Sequence, residues 1–403
     1  MLPSSASRFD LARALFESGG PQGRPPRAVV AMPARDEAER IEPCLSALLR
    51  QRNASAGDER GFGIVLVANN CRDATVPLAR DMLAAAGIGH LVLALDLPPH
   101  LANAGFARGL ALDVASLWAG RAGAPGLLLT TDADTRVGPD WVSGNVAGLS
   151  GICGAVAGRF AFDRREERAW PAHLLARRRL EAAYEAALAA LAARLDPQPC
   201  DPWPNHWTES GASFALTLDA YRRIGGLPAV EAGEDRALAD ALARHDIAIR
   251  HDPAIVVTTS ARLDGRARGG CASALRQRCV ERDAPGDERL EALPAALQRM
   301  VLRARLRHAF STGFHPDAWE RQLHLAEGTL SRLPQPRFGE AWARALAASP
   351  LLIARPLRPA QMKAHLAAAR RLLAALARAS ANGEKIEPVF ARALPQNRLE
   401  AHV

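Results

Sequence analysis

The chain is poor in lysine, poor in aromatic residues and free of long apolar runs. Lys363 and Lys385 are its only lysines, so a net charge of +8 over 403 residues is carried almost wholly by arginine. An Arg- and Ala-heavy composition more often reflects coding bias than a polyanion-binding surface. Aromatics, at 5% of the chain, do not interleave with basic residues into a nucleic-acid stripe. Nucleic acid is therefore not an expected partner, and the basicity is weak support for an anionic substrate. No stretch approaches the roughly eighteen apolar residues of a membrane span. The opening MLPSSASRFDLARALFESGG lacks a basic segment followed by an apolar one, so no export leader is expected. Cys44, Cys71, Cys153, Cys200, Cys271 and Cys279 form no C-x-x-C pair and no zinc-like spacing, which predicts a reduced, cytoplasmic setting. No internal repeat is visible.

What the chain has in quantity is core-forming residue. With 48% hydrophobic and 23% charged residues it can bury one sizeable α/β domain plus an accessory segment. Residues 1–26 close in a Gly/Pro-rich stretch, Gly19 to Pro26, and read as a flexible lead. From Arg27, short apolar strands alternate with helical patterns: Ala28–Met32, a helix over 38–51, Ile64–Ala68, a helix over 74–86, Leu91–Leu95, a helix over 104–119 and Leu127–Thr131. That order predicts a parallel, helix-covered sheet whose ligands sit beyond the carboxyl ends of the strands. Downstream come a strand at Gly154–Phe162, a long helix over 166–195 and the Pro-broken Cys200–Trp207. A strand at Gly211–Leu216, a helix at Asp219–Ile224, a helix opened by Gly233-Glu234-Asp235 and a strand at Ile255–Ser260 follow, and then helices including 296–310 and 360–379.

The densest chemistry lies where Leu127–Thr131 ends, in Asp132-Ala133-Asp134. Carboxylates one residue apart at a strand end point the same way, and hard oxygen donors of this kind suit Mg²⁺ or Mn²⁺ completed by substrate phosphates. An acidic turn before the helix that begins near Pro139 is the competing reading.

Taken with this segment, a series of motifs over roughly 27–265 resembles glycosyltransferase family 2, with the GT-A fold. Met32-Pro33-Ala34-Arg35-Asp36-Glu37 resembles the family's opening strand and P-A-x-N-E turn, which lies against the nucleotide. Asn69-Asn70-Cys71-Arg72-Asp73 stands where the family has an acidic turn, with Asn in place of Asp, so the preferred nucleobase is open. Asn103 to Gly109 is similar to a segment that brings a helix start and an Arg, here Arg108, near the nucleotide sugar; a solvated Arg108 is the alternative. The resemblance implies that Asp134 coordinates the ion directly and that Asp132 contacts the ribose, or the ion through water. It also implies that Asp235 is the base of an inverting transfer, with Glu234 beside it or holding the acceptor. Both acids would equally complement a helix dipole without chemistry. Arg262 and Arg266 are implied phosphate clamps, and His251 is a candidate third metal ligand or a structural histidine. Trp203 and Trp207 could stack on an acceptor sugar or anchor a loop.

The reading is thus an α/β GT-A domain with a mixed, helix-flanked sheet over 27–270. Residues 27–135 form its nucleotide-sugar half, 136–270 its acceptor half, and 271–403 a helical extension. Its expected activity is metal-dependent transfer of a sugar from a nucleotide-diphosphate donor to a hydroxyl of a small-molecule, lipid or glycan acceptor. Donor contacts fall to Pro33, Ala34, Glu37, Asn69, Asp73, Asn103, Arg108, Asp132, Arg262 and Arg266. A sugar-phosphate nucleotidyltransferase and a non-catalytic GT-A-like binding domain are the alternatives. The absence of a spanning segment leaves peripheral membrane contact as the most that lipid could offer.

Overall fold

The computed structural model describes residues 7–21, 25–52, 61–122, 125–149, 151–265 and 269–382. Contacts divide the chain into two compact units, one of residues 1–169, 208–242 and 247–276, the other of 170–207, 243–246 and 277–403.

The first unit is built on a seven-stranded mixed sheet. Its strands are β1 (Ala28–Ala34), β2 (Phe62–Asn69), β3 (His90–Leu95), β4 (Leu127–Thr130), β5 (Ala155–Phe162), β6 (Phe214–Thr217) and β7 (Ile249–Thr259), in the order β3-β2-β1-β4-β6-β5-β7. The first four are parallel, as their continuous apolar runs predict for strands covered on both faces. β6 runs antiparallel to β4 and β5, and β7 is parallel to β5. Alternation along β1 feeds two cores. Val30 and Met32 pack with Ile41, Leu45, Leu48 and Leu83 on one face, whereas Val29 and Ala31 meet Leu110, Trp118 and Phe16 on the other. The Ala104–Gly120 helix is buried along most of its length, and Asn103 caps it by accepting from the Phe106 amide at 2.8 Å.

Several expectations change. Residues 8–19, read as part of a flexible lead, form a helix with a Ser7/Asp10 capping box. Its Arg8 donates to Asp113 at 2.7 Å and to the Leu227 carbonyl at 2.9 Å, and Ala12 and Phe16 are buried. The long helix over 166–195 is two helices, Arg164–Glu167 and Ala172–Leu195, because Pro171 cannot continue the first. β7 begins at Ile249, six residues before the expected strand.

The second unit is helical. Ala172–Leu195, Leu293–Thr312 and Pro359–Ala381 share a core of Tyr184, Leu188, Leu191, Leu297, Met362, Leu366 and Leu372, against which Trp207 packs. Trp203 is 47% exposed. Residues 170–207 therefore group with the C-terminal helices, although the sequence placed them in the acceptor half of the sheet domain. Cys44, Cys71, Cys271 and Cys279 are free thiols. Neither Cys153 nor Cys200 is a free thiol, each being in disulfide form, which corrects the expectation of a wholly reduced chain. Among the described residues no helix is long and apolar enough to cross a membrane.

Candidate active site

A cleft of ≈ 960 Å³ opens in the first unit beyond the carboxyl ends of β1, β2 and β4. It gathers Pro33, Ala34, Glu37, Asn69, Asn103, Arg108, Asp132, Asp134, Glu234, Asp235 and Arg262. These side chains come from six separated stretches of sequence, and parallel topology brings their strand ends and loops together.

The acidic pair sits on a braced loop. Thr131 donates its hydroxyl to the Ala212 carbonyl at 2.8 Å, and the Thr135 amide closes a turn onto the Asp132 carbonyl at 3.1 Å. Arg136 then pairs through its backbone with Thr258 of β7. Asp134 accepts from the Thr259 hydroxyl at 3.3 Å and lies 3.1 Å from the Arg262 guanidinium. Burial, reinforced by the like charge of Asp132, pushes the Asp134 pKa up to about 6, against the pull of Arg262.

Arg108 is buried at 4% exposure and is fully engaged by the protein. It donates to Asp132 Oδ1 at 2.5 Å, Glu234 Oε1 at 3.1 Å, the Thr130 hydroxyl at 2.7 Å and the Gly211 carbonyl at 3.1 Å. Burial opposes its charge, but Asp132 and Glu234 outweigh it and hold its pKa above the ordinary value. The solvated reading of Arg108 is thereby excluded, and its hydrogen bonds go to protein groups. Asp235 opens the Glu234–Arg244 helix, accepting from the Gly211 amide at 3.3 Å and the Arg236 amide at 2.8 Å. Burial and the neighbouring Glu234 raise its pKa.

The donor set fits a hard divalent cation. Arg108 commits one oxygen of Asp132 and leaves the other, and Asp134 is a largely buried carboxylate further along the same loop. Asp134, with the second oxygen of Asp132, would hold such an ion. Asp36, Cys71 and Asp73 also converge, but they are occupied as turn locks: Asp36 accepts from the Arg72 amide at 2.7 Å, and Cys71 from the Asp36 amide at 3.4 Å.

The remaining sequence-predicted residues divide. Glu37 is buried and bridged to Arg262. Asn69 is buried at the cleft wall, donating to the Asn103 carbonyl at 3.3 Å, with its Oδ1 lacking a protein partner. Asp73 does not line the cleft; its oxygens accept from the Ala38 amide at 2.9 Å and the Thr75 amide at 3.0 Å, tying the first two βα turns together. His251 lies on β7 opposite Ala157, its Nε2 3.6 Å from Glu209, and does not line the cleft beside the acidic pair. Arg266 lies outside the described residues.

No protein-family model and no curated protein sequence matches the chain. Solved structures do. The mannosyltransferase PcManGT from Pyrobaculum calidifontis, in complex with GDP-Man and Mn²⁺, is 18% identical at a TM-score of 0.42, covering 96% of this chain and 84% of its own. TarS residues 1–349 from S. aureus, in complex with UDP-GlcNAc, is 13% identical at a TM-score of 0.42, covering 89% and 92%. Similarity at this level carries no argument about activity here.

The geometry also gives roles to residues that the sequence set in strands, helices or motifs without assigning them a contact. Thr130 and Gly211 supply two of the Arg108 acceptors. A Cβ on Gly211 would come within 2.4 Å of the Arg108 guanidinium carbon, so only glycine permits that approach. Glu166 accepts from the Ser260 hydroxyl at 2.9 Å and the Ala261 amide at 2.7 Å, fixing the backbone that carries Arg262. No local motif marks Glu166, which lies some 94 positions from its partners.

Proposed function

We propose that the chain is a glycosyltransferase of hexosyltransferase type, moving a sugar from a nucleotide-diphosphate donor to an acceptor hydroxyl with inversion and with help from Mg²⁺ or Mn²⁺. The observation that carries this reading is that Asp132, Asp134 and Asp235 line one cleft at the carboxyl ends of the strands. A divalent ion bound at Asp134 and Asp132 would neutralise charge on the departing diphosphate. Pro33, Ala34, Asn69 and Asn103 shape the nucleotide end of the cleft, and Arg262 is a cation at the cleft wall for phosphate oxygens. Arg108 is a positioning residue that fixes Asp132 on one side and Glu234 on the other. Asp235 takes the proton of the acceptor hydroxyl as its oxygen attacks. Burial and the neighbouring Glu234 raise its pKa, which makes it a stronger base than an exposed aspartate.

The test is the thermal shift of wild type and Asp134→Ala with UDP, GDP, CDP and dTDP, each with and without Mn²⁺. Metal-dependent stabilisation by one nucleotide, lost in the variant, supports the donor site, and release of that diphosphate from its nucleotide sugars supports the transfer. Pyrophosphate release from a nucleoside triphosphate would instead select a nucleotidyltransferase. Binding without turnover across donors and acceptors would leave a non-catalytic domain.

A further inference from the structure

Glu37 and Arg262 form a braced pair in the cleft, and neither is explained by donor contact alone. The Glu37 amide donates to the buried Thr75 hydroxyl at 2.7 Å, and Thr75 is in turn held by Asp73. The turn before it is tight enough to place Asp36 at a φ of 51°. Onto the carboxylate that this braced backbone carries Arg262 lays both prongs of its guanidinium, Nη1 to Oε2 at 2.8 Å and Nη2 to Oε1. The same Nη2 lies 3.1 Å from Asp134 Oδ2. Glu166 meanwhile pins the backbone at Ser260 and Ala261, so the arginine is held at its base and at its head.

Two cations therefore have a claim on one carboxylate. We propose that Arg262 is the resident counter-ion of Asp134, that it exchanges with the divalent ion there, and that Glu37 is the positioning residue retaining Arg262 at the cleft when it is displaced. This rests on the reading of Asp134 as a metal carboxylate. The fork onto Glu37 uses both of that residue's oxygens and none of Asp134's, so loss of the Asp134 contact leaves Arg262 anchored among the cleft residues. The arrangement sets a guanidinium against the Asp134 carboxylate before an ion arrives, and it couples ion binding to the release of one guanidinium N–H towards the cleft.

The test is Mn²⁺ affinity of the full chain without nucleotide, read from the electron paramagnetic resonance signal of the free ion. Exchange predicts that Arg262→Gln, which removes the competitor, binds Mn²⁺ about tenfold more tightly than wild type, and that Arg262→Lys stays near it. Glu37→Gln, which frees the guanidinium to settle on Asp134, binds more weakly. Arg40→Gln is the control for nearby positive charge, since Arg40 influences Asp134 electrostatically but pairs with Glu39 and with Oε1 of Glu166, whereas the brace to Ser260 and Ala261 uses Oε2 of Glu166. A gain in Arg40→Gln equal to that in Arg262→Gln, or weaker binding in both Arg262→Gln and Glu37→Gln, overturns the exchange while leaving the metal site standing. Absence of Mn²⁺ binding in folded wild type and folded Arg262→Gln overturns the metal reading as well. If Arg262→Gln does not fold, as judged by circular dichroism, tighter or unchanged binding in Glu37→Gln is the overturning result.

Discussion

Arg108 Nε donates to Glu234 Oε1 at 3.1 Å inside the protein, while its Nη2 holds Asp132 at 2.5 Å. One buried guanidinium thus joins the acidic loop after β4 to the helix that carries Asp235. Removing it would leave two carboxylates without their counter-charge, and a buried pair broken from one side costs about 3–5 kcal/mol. Arg108→Met is expected to lower the melting temperature accordingly and to abolish Mn²⁺-dependent nucleotide stabilisation. Arg108→Lys is expected to recover little, because one ammonium cannot reproduce a fork with four acceptors. Calorimetric melting of both variants decides it.

Gly211 tests the same joint without touching a charge. Its missing Cβ is the space that Arg108 occupies, so Gly211→Ala must push the guanidinium away from Thr130 or Asp132. A cost of about 1–3 kcal/mol in denaturant unfolding is expected for an overpacked interior. A neutral Gly211→Ala would show that the joint has slack.

The parts of the site that could be read in advance are those written in consecutive residues. Asp132-Ala133-Asp134 after an apolar strand, and Asn103 before a small-residue helix, carry their geometry locally. Arg108 was legible as a candidate, but its contacts were not: its partners Thr130, Gly211 and Glu234 come from three other stretches of the chain, and sequence does not say which Arg meets which carboxylate. Asp73 shows the same limit. A turn aspartate can face a ligand or satisfy backbone amides, and here the Ala38 and Thr75 amides take it. The N-terminal helix was hidden by the Gly/Pro stretch behind it, since its docking depends on the distant partner Asp113. The helices of the second unit were legible as helices, whereas the attachment of 170–207 to them is a tertiary fact.

That N-terminal helix makes its own prediction. Asp113, 2% exposed, receives Arg8 at 2.7 Å and the Tyr221 hydroxyl at 2.6 Å. Arg8→Ala would strand a buried carboxylate with one neutral donor, at a cost of about 3 kcal/mol or more. Asp113→Asn combined with Arg8→Ala should be less destabilised than Arg8→Ala alone, as chemical unfolding of the cycle would show.

Asp235→Asn keeps the shape of the proposed base but cannot take a proton. A loss of about 10²- to 10⁴-fold in turnover is expected, with nucleotide and Mn²⁺ thermal shifts intact. Equal losses in turnover and nucleotide binding would instead make Asp235 part of the donor pocket.

Asp134 gives a pH dependence whose sign is fixed by its environment. Its pKa is about 6 in the folded chain against an ordinary 3.8, so between those values the native state holds a proton that the unfolded chain has released. Stability owed to this group is therefore fully present below the ordinary pKa, declines as pH rises through that window and is lost above about 6. Other carboxylates titrate in the same range, so the quantity to follow is the difference between wild type and Asp134→Asn. Asp134→Asn should gain in melting temperature relative to wild type as pH goes from about 4.5 to about 7.5, because the amide never bears the buried charge. Mn²⁺ should act in the opposite sense. It needs the carboxylate deprotonated, so its stabilisation of wild type should grow through about pH 6 and be absent in Asp134→Asn at every pH. A wild type whose difference from Asp134→Asn is flat with pH would mean that Arg262 offsets the cost of burial and holds the carboxylate ionised throughout.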